Sequence, residues 1–442
     1  SAEFIEGQSS DALISCVDAD DSEAKERAHA IRKERKDIVK IALYKLLVKL
    51  TGKTLPWGNL TGIRPAKLAM GLIEFGMKNT EAAQEMRERY MVSPQKTALA
   101  ITIANREREI LKDIDYENGY SLYVGIPFCP SICLYCSFGS HPLERWTKRV
   151  DEYLDALCKE LTFIREEMGE RKLTTVYIGG GTPTTLEPEQ LRRLLSHIQT
   201  TFDFTWVKEY TVEAGRPDSI TREKLQVMKE FPVTRISVNP QTMNQKTLDV
   251  IGRKHTVEDT VNIFHMAREL GFDNINMDLI IGLPGEGKEE VAHTLQEVEK
   301  LHPDSLTIHS LALKRATRLN LFKDKYEEMS FENSKEIMEM TQQCAENMGM
   351  GPYYLYRQKN IAGNFENVGY AEVDKAGIYN ILIMEEKQTI LAAGAGASTK
   401  FVFEHGTRIE RVENVKDVNN YILRIDEMLE RKRVGIEKYL NG

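Results

Sequence analysis

Six short apolar segments, each followed by a helical pattern or a loop, succeed one another between residues 121 and 309. The predicted strands are 121–126, 173–178, 208–214, 234–239, 274–281 and 304–309, and the predicted helices among them are 145–168, 188–200, 221–230, 256–270 and 287–301. Strands that alternate with helices form a parallel sheet covered by helices. The pattern therefore predicts an α/β fold, an open sheet or a partial (β/α)6 barrel, with its chemistry at the carboxyl ends of the strands.

The segments on either side of this alternation have a different pattern. Residues 22–50 repeat apolar side chains near a 3.6-residue period, and two further helices are predicted at 66–76 and 80–113. We therefore predict an N-terminal helical domain over 1–118, a barrel domain over 119–349 and a C-terminal α+β lobe over 350–442, with a final helix at 416–432. The first residues, 1–4, resemble a cloning scar.

Composition limits the classes of partner. The chain has 442 residues, a formal net charge of −8 and six cysteines. No apolar run approaches the roughly 20 residues of a membrane-spanning helix, and the acidic balance argues against nucleic acid as a partner. Three of the cysteines, Cys16, Cys158 and Cys344, are scattered along the chain, and scattered, reduced cysteines are typical of a cytoplasmic protein.

Three of the six cysteines, Cys129, Cys133 and Cys136, lie within eight positions directly after the first predicted strand. Thiolates on one tight loop can hold three corners of an iron–sulfur cubane and leave its fourth iron open to a ligand. A zinc site formed by these cysteines with His141 is the alternative. Either reading places a metal centre at the carboxyl edge of the sheet.

Polar residues follow the later strands in the same way. The second strand ends in Y-I-G-G-G-T-P-T, residues 177–184, where glycines let the backbone approach a ligand closely. Glu213 ends the third strand, Gln241 and Arg253 follow the fourth, and Asp278 lies in the fifth. Each has a structural alternative, since the two carboxylates could instead cap helices or pair with Arg216 or Arg235, and Arg253 could lie on the surface.

The cysteine motif C-x3-C-x-aromatic-C, with Tyr135 as the aromatic residue, resembles the cluster motif of the radical S-adenosylmethionine enzymes. The resemblance implies a 4Fe-4S cluster on the three cysteines, S-adenosylmethionine on the open iron, and a 5′-deoxyadenosyl radical that abstracts hydrogen from substrate. It also implies cofactor-binding roles for Tyr123, Tyr135, Gly180, Gly181, Thr182, Glu213, Gln241, Arg253 and Asp278.

A narrower resemblance rests on L-Y-V-G-I-P-F-C, S-V-N-P-Q-T-M-N, the G-R of 252–253 and M-D-L-I-I-G-L-P-G. These segments resemble the oxygen-independent coproporphyrinogen III oxidase family, and L-P-W-G-N-L-T-G-I-R-P with Y-L-Y-R-Q-K-N-I-A-G-N-F resembles its HemZ-type branch. The resemblance implies oxidative decarboxylation of two propionate side chains in haem biosynthesis. A substrate with four carboxylates needs cations, and we predict that Arg315, Arg318, Arg357, Lys359 and Asn360 bind it, with Arg64 as a weaker candidate.

Two positions depart from the HemN-type pattern. Gly125 replaces a histidine, and Phe138 replaces a further cysteine and is shared with a sister group of haem chaperones. The alternatives are therefore a haem-trafficking protein of the same family and a radical enzyme that acts on another tetrapyrrole. In every case the predicted partners are a tetrapyrrole and an unidentified electron donor.

Overall fold

The computed structural model describes residues 22–60, 64–137, 140–312, 314, 317–321, 331–358, 361 and 365–441, without the side chains of 22–30, 33 and 34. The chain divides into two compact units. The smaller comprises Ser1–Thr61 and Leu72–Leu99, and the larger comprises Gly62–Gly71 and Ala100–Gly442. The domain boundaries at 118 and 349 stay a prediction.

Helices form the N-terminal region, as predicted. They are α1 Ser22–Thr51, α2 Pro65–Glu74, α3 Asn79–Glu88 and α4 Pro94–Leu111. The single helix predicted over 80–113 is wrong: Met91 takes a left-handed φ of 54°, and Pro94, which fixes its own φ, begins a new helix instead. The predicted apolar face of α1 is also not buried, since Ile38 and Leu50 are 59% and 72% exposed.

The larger unit is built on one mixed sheet. Its strands are β1 Gly119–Ile126, β4 Lys172–Gly180, β5 Glu209–Gly215, β6 Arg235–Val238, β7 Ile275–Ile281, β8 Ser305–Ser310, β9 Gly351–Tyr356, β10 Asn367–Ala371, β11 Thr389–Ala393, β12 Ser398–Phe403 and β13 Arg408–Glu413, and a separate pair joins β2 Phe128–Cys129 to β3 His141–Pro142. In the described residues the sheet order is β13-β12-β11-β1-β4-β5-β6-β7-β8-β10-β9. Strands β1 and β4–β8 are parallel, which confirms the α/β prediction.

Helices connect these strands at the predicted places. They are α5 Val150–Met168, α6 Pro188–Thr201, α7 Arg222–Lys229, α8 Gln245–Val250, α9 Val257–Glu269, α10 Lys288–Leu301, α11 Arg318–Leu321, α12 Lys335–Asn347, α13 Ile378–Glu385, α14 Val418–Leu423 and α15 Ile425–Leu440. Short 3-10 turns lie at Leu143–Arg145, Thr147–Arg149, Pro183–Thr185, Pro217–Ser219 and Glu404–Gly406. Local chemistry explains several starts: Pro188 opens α6, and the Thr256 hydroxyl accepts from Asp259 N at the start of α9.

The C-terminal region completes the sheet at both edges. Strands β9 and β10 extend it beyond β8, while β11 pairs in parallel with β1 and carries β12 and β13. The single helix predicted over 416–432 is wrong, because the chain bends at Arg424 and the second helix continues to Leu440. Strand β1, which leads into the cysteine loop, is therefore an interior strand between β11 and β4.

A buried ion pair fixes this C-terminal addition. Lys432 of α15 lies 3.0 Å from Glu160 of α5, and both side chains are fully buried. Glu160 also accepts hydrogen bonds from Gly394 N at 2.9 Å and from Tyr421 at 2.6 Å. Because every partner of the carboxylate is polar, the buried charge is satisfied. Among the described helices, none has the length and apolar character needed to cross a membrane.

Candidate active site

Side chains from six strand ends line one cavity at the carboxyl edge of the sheet. The cavity has a volume of about 250 Å³. Its lining includes predicted residues from every one of the motifs, namely Cys129, Cys133, Tyr135, Cys136, Gly180, Gly181, Thr182, Glu213, Gln241, Arg253 and Asp278. Parallel strands bring their carboxyl ends to one edge, so residues separated by up to 149 positions, from Cys129 to Asp278, come together here.

The cysteine loop is held from both sides by hydrogen bonds. Cys129 and Cys133 are 8% and 7% exposed. The Thr182 hydroxyl donates to Cys129 Sγ at 3.5 Å, and the Arg216 guanidinium donates to Cys133 Sγ at 3.6 Å. Arg216 is itself held by both carboxylate oxygens of Asp218, at 2.9 and 2.6 Å. Donors of this kind stabilise charge on a cluster and its ligating sulfurs.

The glycine turn after β4 packs directly against this loop. Gly181 N donates to Ile126 O, and Thr182 N donates to Phe128 O, each at 2.7 Å. A Cβ atom on Gly181 would lie 2.5 Å from Phe128 O, and Gly180 has a φ of 104°. Both positions therefore require glycine, which lets the turn pack closely against the segment that leads into the cysteines.

Arg253 and Gln241 present unpaired polar atoms to the cavity. Arg253 is 5% exposed and Gln241 8%, and the guanidinium donates to Asn239 O at 2.5 Å and to Tyr135 Oη at 3.3 Å. Within the described residues, Arg253 Nε and Gln241 Oε1 are buried without a hydrogen-bond partner. Gln241 also has a left-handed φ of 69°. A buried arginine with a free donor suits a ligand carboxylate, and the surface alternative for Arg253 is wrong.

Glu213 lies against an aromatic stack. The Tyr177 hydroxyl donates to Glu213 Oε1, and the Tyr177 ring stacks on Tyr379 of α13 with centroids 4.4 Å apart. Burial raises the pKa of Glu213 to about 7, with the Asp278 charge adding to this and the Tyr177 hydrogen bond opposing it. A carboxyl group that titrates near neutrality can accept the charge of a ligand ammonium.

Asp278 belongs to a second polar chain across the cavity. Its carboxylate accepts from Asn276 at 2.7 Å and lies 3.8 Å from His309 Nε2, while His309 Nδ1 lies 3.2 Å from the Tyr356 hydroxyl. Burial alone would raise the pKa of Asp278, but the nearby His309 ring and the hydrogen bond from Asn276 outweigh it and lower the pKa. Asp278 is therefore held ionised. Neither carboxylate pairs with Arg216 or Arg235, so the structural alternatives for Glu213 and Asp278 are not observed.

Of the five predicted substrate residues, the structure describes Arg318 and Arg357, and neither lines the cavity. Arg318 is exposed and donates to Ile132 O at 3.4 Å, and Arg357 is 7% exposed without lining the cavity. Arg64 forms an ion pair with Glu386 at 2.5 Å. Arg315, Lys359 and Asn360 lie outside the described residues, as does Phe138. Lys314 does line the cavity. The substrate assignments stay predictions.

The donor set fits an iron–sulfur cluster better than a zinc ion. Across the described ranges, no three His, Cys, Asp or Glu side chains are arranged to hold a single metal ion. His141 does not line the cavity, and its ring packs edge-on against Trp146 with centroids 5.3 Å apart. Three thiols on one loop would hold three irons of a cluster, in the cavity that Arg253, Gln241 and the glycine turn also line.

Several site residues were missed by the sequence analysis. Tyr177 lies three residues before Gly180, and Arg216 lies three residues after Glu213. Their place near the carboxyl ends of β4 and β5 was an available signal. His309 likewise ends β8. Tyr123, predicted for the cofactor, lies just behind this cavity, with its ring stacked on Tyr379 at 6.4 Å. Tyr379 had no signal, because it comes from helix α13 and reaches the sheet only through tertiary packing.

Comparison with known proteins gives a consistent result. The Radical SAM superfamily matches residues 123–298. The chain is 43% identical over 410 residues to the oxygen-independent coproporphyrinogen-III oxidase-like protein HemZ of Bacillus subtilis, covering 92% of this chain and 82% of that protein. It is 38% identical over 198 residues to the haem chaperone HemW of Bacillus subtilis, covering 45% of this chain and 52% of the chaperone. The structure of coproporphyrinogen III oxidase (HemN) from Escherichia coli matches with a TM-score of 0.57 and 25% identity over 73% of each chain.

Proposed function

Because the chain belongs to the oxygen-independent coproporphyrinogen-III oxidase-like family of radical S-adenosylmethionine proteins, we propose that it oxidatively decarboxylates propionate side chains of coproporphyrinogen III. Each event removes one hydrogen atom from the propionate β-carbon, releases carbon dioxide and passes one electron to an acceptor, which leaves a vinyl group. The observation that carries this proposal is the single cavity shared by the cysteine loop and the four polar residues Glu213, Gln241, Arg253 and Asp278.

The family membership brings a 4Fe-4S cluster and S-adenosylmethionine as cofactors. When bound, they supply a carbon-centred radical that abstracts a hydrogen atom from the substrate. In our proposal Cys129, Cys133 and Cys136 hold the cluster. The hydrogen bonds from Thr182 and Arg216 to two of the sulfurs fix the loop and stabilise the negative charge of its thiolates.

The remaining residues orient S-adenosylmethionine. Arg253 would bind its carboxylate, Glu213 and the backbone of Gly180–Gly181 would receive its ammonium group, and Asp278 would accept from ribose hydroxyls. Tyr123, Tyr135, Thr182 and Gln241 complete this set. Asp278, His309 and Tyr356 form a polar chain along the wall of the same cavity.

The test is anaerobic. Reconstituted protein, reductant, S-adenosylmethionine and coproporphyrinogen III are assayed together for 5′-deoxyadenosine and protoporphyrinogen. We expect both to form together, with about two deoxyadenosines per product because two side chains are oxidised. Deoxyadenosine formation with an unchanged tetrapyrrole would contradict the substrate and leave the cofactor assignment standing.

The cluster ligands are tested by a pair of cysteine variants. Cys133→Ala removes a thiol that lines the cavity, whereas Cys158→Ala removes a free thiol of helix α5 outside it. We expect iron content and S-adenosylmethionine cleavage to be lost in the first variant and retained in the second. Full cleavage by Cys133→Ala would overturn the ligand assignment.

The match to a haem chaperone favours a second candidate function, haem trafficking. Its signature is stoichiometric haem binding by the reconstituted protein without any conversion of coproporphyrinogen III. Titration with haem, followed by absorbance, separates the two functions when it is run on the same preparation as the anaerobic assay.

A further inference from the structure

A second cavity lies behind the glycine turn and next to the first. Its volume is about 600 Å³, within the range of about 300–1000 Å³ that is typical of small-molecule sites. It shares Ser137, Ser140, Gly180 and Gly181 with the cavity of the cysteine loop. A ligand in the second cavity would therefore contact the same glycine turn that faces S-adenosylmethionine.

The walls of this second cavity are apolar and partly aromatic. Tyr123 and Tyr379 line it with nearly parallel rings, 6.4 Å apart and inclined by 22°. Ile383 and Ile390 add aliphatic surface, and Ala395, in the loop after β11, adds a small apolar side chain. Aromatic faces beside aliphatic and small residues suit an apolar ring system.

Two lysines, Lys400 and Lys416, supply charge to the same cavity, and among the lining residues in the described part of the chain there is no Asp or Glu. Lys400 is 8% exposed. Its ammonium donates to Ile383 O at 3.3 Å and lies 3.7 Å from Glu386. An ammonium has three donors, so Lys400 retains hydrogen-bonding capacity toward the cavity within the described structure.

Glu386 does not neutralise this lysine, because it has closer partners. Its carboxylate lies 2.5 Å from Arg64 and 2.9 Å from Lys67, with Arg411 at 4.0 Å. Hydrogen bonds from Arg64 and Lys67 outweigh the effect of burial and lower the pKa of Glu386 to about 2. Four cations thus share one carboxylate, and Lys400 is the one that reaches the cavity. Burial lowers the pKa of Lys400 to about 8, so the amine still carries its proton at neutral pH.

We propose that the second cavity binds a carboxylate carried on an apolar ring system, with the acid group held between Lys400 and Lys416. This inference rests on the proposed function, in which the ring system is the tetrapyrrole and the acid is one of its propionates. The propionate at the lysines anchors the macrocycle, and the opposite edge then faces the glycine turn. Substrate recognition thereby falls to strand β12 and the segment after β13.

The test measures equilibrium binding of coproporphyrin III, the stable oxidised ring with four carboxylates, by quenching of protein fluorescence. The variants are Lys400→Met, Lys400→Arg and Lys416→Met, and the matched control is Lys208→Met, which removes an exposed lysine before β5. We expect about tenfold weaker binding for Lys400→Met, since a charge-assisted contact is lost. Lys400→Arg should bind nearly as well as the natural protein, Lys416→Met severalfold more weakly, and the control unchanged.

The outcomes separate the two proposals. If the natural protein binds the porphyrin and neither lysine-to-methionine variant loses affinity, the inference is overturned and the proposed function is untouched. If the natural protein does not bind the porphyrin at all, the inference is overturned, and the anaerobic assay with coproporphyrinogen III decides the proposed function by itself. If thermal unfolding shows that Lys400→Met is not folded, the inference is tested by Lys416→Met, whose side chain is exposed. Unchanged affinity of Lys416→Met for the porphyrin would then contradict the inference.

Discussion

Gly181 shows how closely the backbone of this site is packed. A Cβ atom there would lie 2.5 Å from Phe128 O and 2.9 Å from Ile126 O, both on the segment that leads into the cysteines. Neither carbonyl can move without disturbing β1 or the loop. There is therefore no space for a side chain at Gly181.

Gly181→Ala is accordingly expected to displace the turn and weaken S-adenosylmethionine binding at least tenfold, since a misplacement of about 1 Å can cost on the order of a hundredfold. Equilibrium dialysis with labelled S-adenosylmethionine measures this. The control is Gly71→Ala, where a Cβ atom would have no neighbour within 4 Å. Equal affinity in the two variants would show that the turn does not contact the cofactor.

Glu213 predicts a pH dependence with a definite sign. Burial, with the Asp278 charge in the same direction, raises the pKa of Glu213 to about 7, while Tyr177, Gly180 N and His309 oppose the shift. Below pH 7 the carboxyl is protonated and must lose its proton before it can pair with a ligand ammonium. The dissociation constant of S-adenosylmethionine should therefore rise roughly tenfold per pH unit below 7 and level off above it.

Glu213→Gln removes the titrating proton and should flatten this profile, with weaker binding at pH 8. Because the raised pKa means that the folded state holds this proton more tightly than the unfolded state, the free energy of unfolding without ligand should fall as the pH rises from about 4.5 to 7 in the natural protein. Calorimetric titration and chemical unfolding across this range measure both effects. A profile that is the same in the two proteins would contradict the assigned pKa.

At the scale of elements, the ion pair between helices α5 and α15 decides whether the C-terminal strands stay in place. Lys432→Met would leave the fully buried Glu160 carboxylate without its cation, which costs roughly 3–5 kcal/mol of the free energy of unfolding. Urea unfolding measures the loss. Arg433→Met, which removes the neighbouring half-exposed cation, should cost less than about 1 kcal/mol.

The double variant Glu160→Gln/Lys432→Met completes this experiment. Replacing the carboxylate by a neutral amide removes the uncompensated charge, so part of the lost stability should return. A double variant less stable than Lys432→Met would mean that the hydrogen bonds to Glu160, from Gly394 and Tyr421 among others, matter more than its charge.

Elements of the barrel were predictable because each carries its own local signal. The six strands and the helices between them lie within a few residues of the predicted bounds, since alternation and turn chemistry act over short distances. The break at Met91 and the extension of the last helix to Leu440 were missed. The first miss had a local signal, Pro94, which begins a new helix. The end of α15 instead depends on packing, because Met428, Lys432 and Ile436 are buried along it and no residue pattern marks where that burial stops.

The site was predictable to the same extent as the strands. Cys129, Glu213 and Asp278 follow or lie in strands whose carboxyl ends must meet, so their convergence follows from topology. Tyr379 and Lys400 reach the strand β1 region from more than 250 residues away in sequence. Such contacts are set by the whole fold, which is why the cations predicted for the substrate and those found in the second cavity are different residues.

For the whole molecule, strand β1 has a hydrogen-bonded neighbour at both edges only because the C-terminal region supplies β11. Truncation after Glu386 removes β11–β13 and α15, leaving the backbone of β1 unpaired on one edge. We expect this truncated protein to aggregate and to lose cooperative unfolding. Removal of residues 441 and 442 alone is the control and should have no effect. A soluble, cluster-binding truncated protein would show that β1 is stable without β11.

The pairing of β1 with β11 also sets an order of events during synthesis. Strand β1 ends at Ile126, whereas its partner begins at Thr389. At about 5–20 residues per second, the ribosome needs roughly 15 to 50 seconds to make the intervening chain. For that interval the nascent cysteine loop extends from a half-built sheet, with its thiols open to oxidation. We therefore expect a cluster to assemble on this loop only after β11 has been synthesised and has paired with β1. A chain released before β11 is made should bind no iron or sulfide.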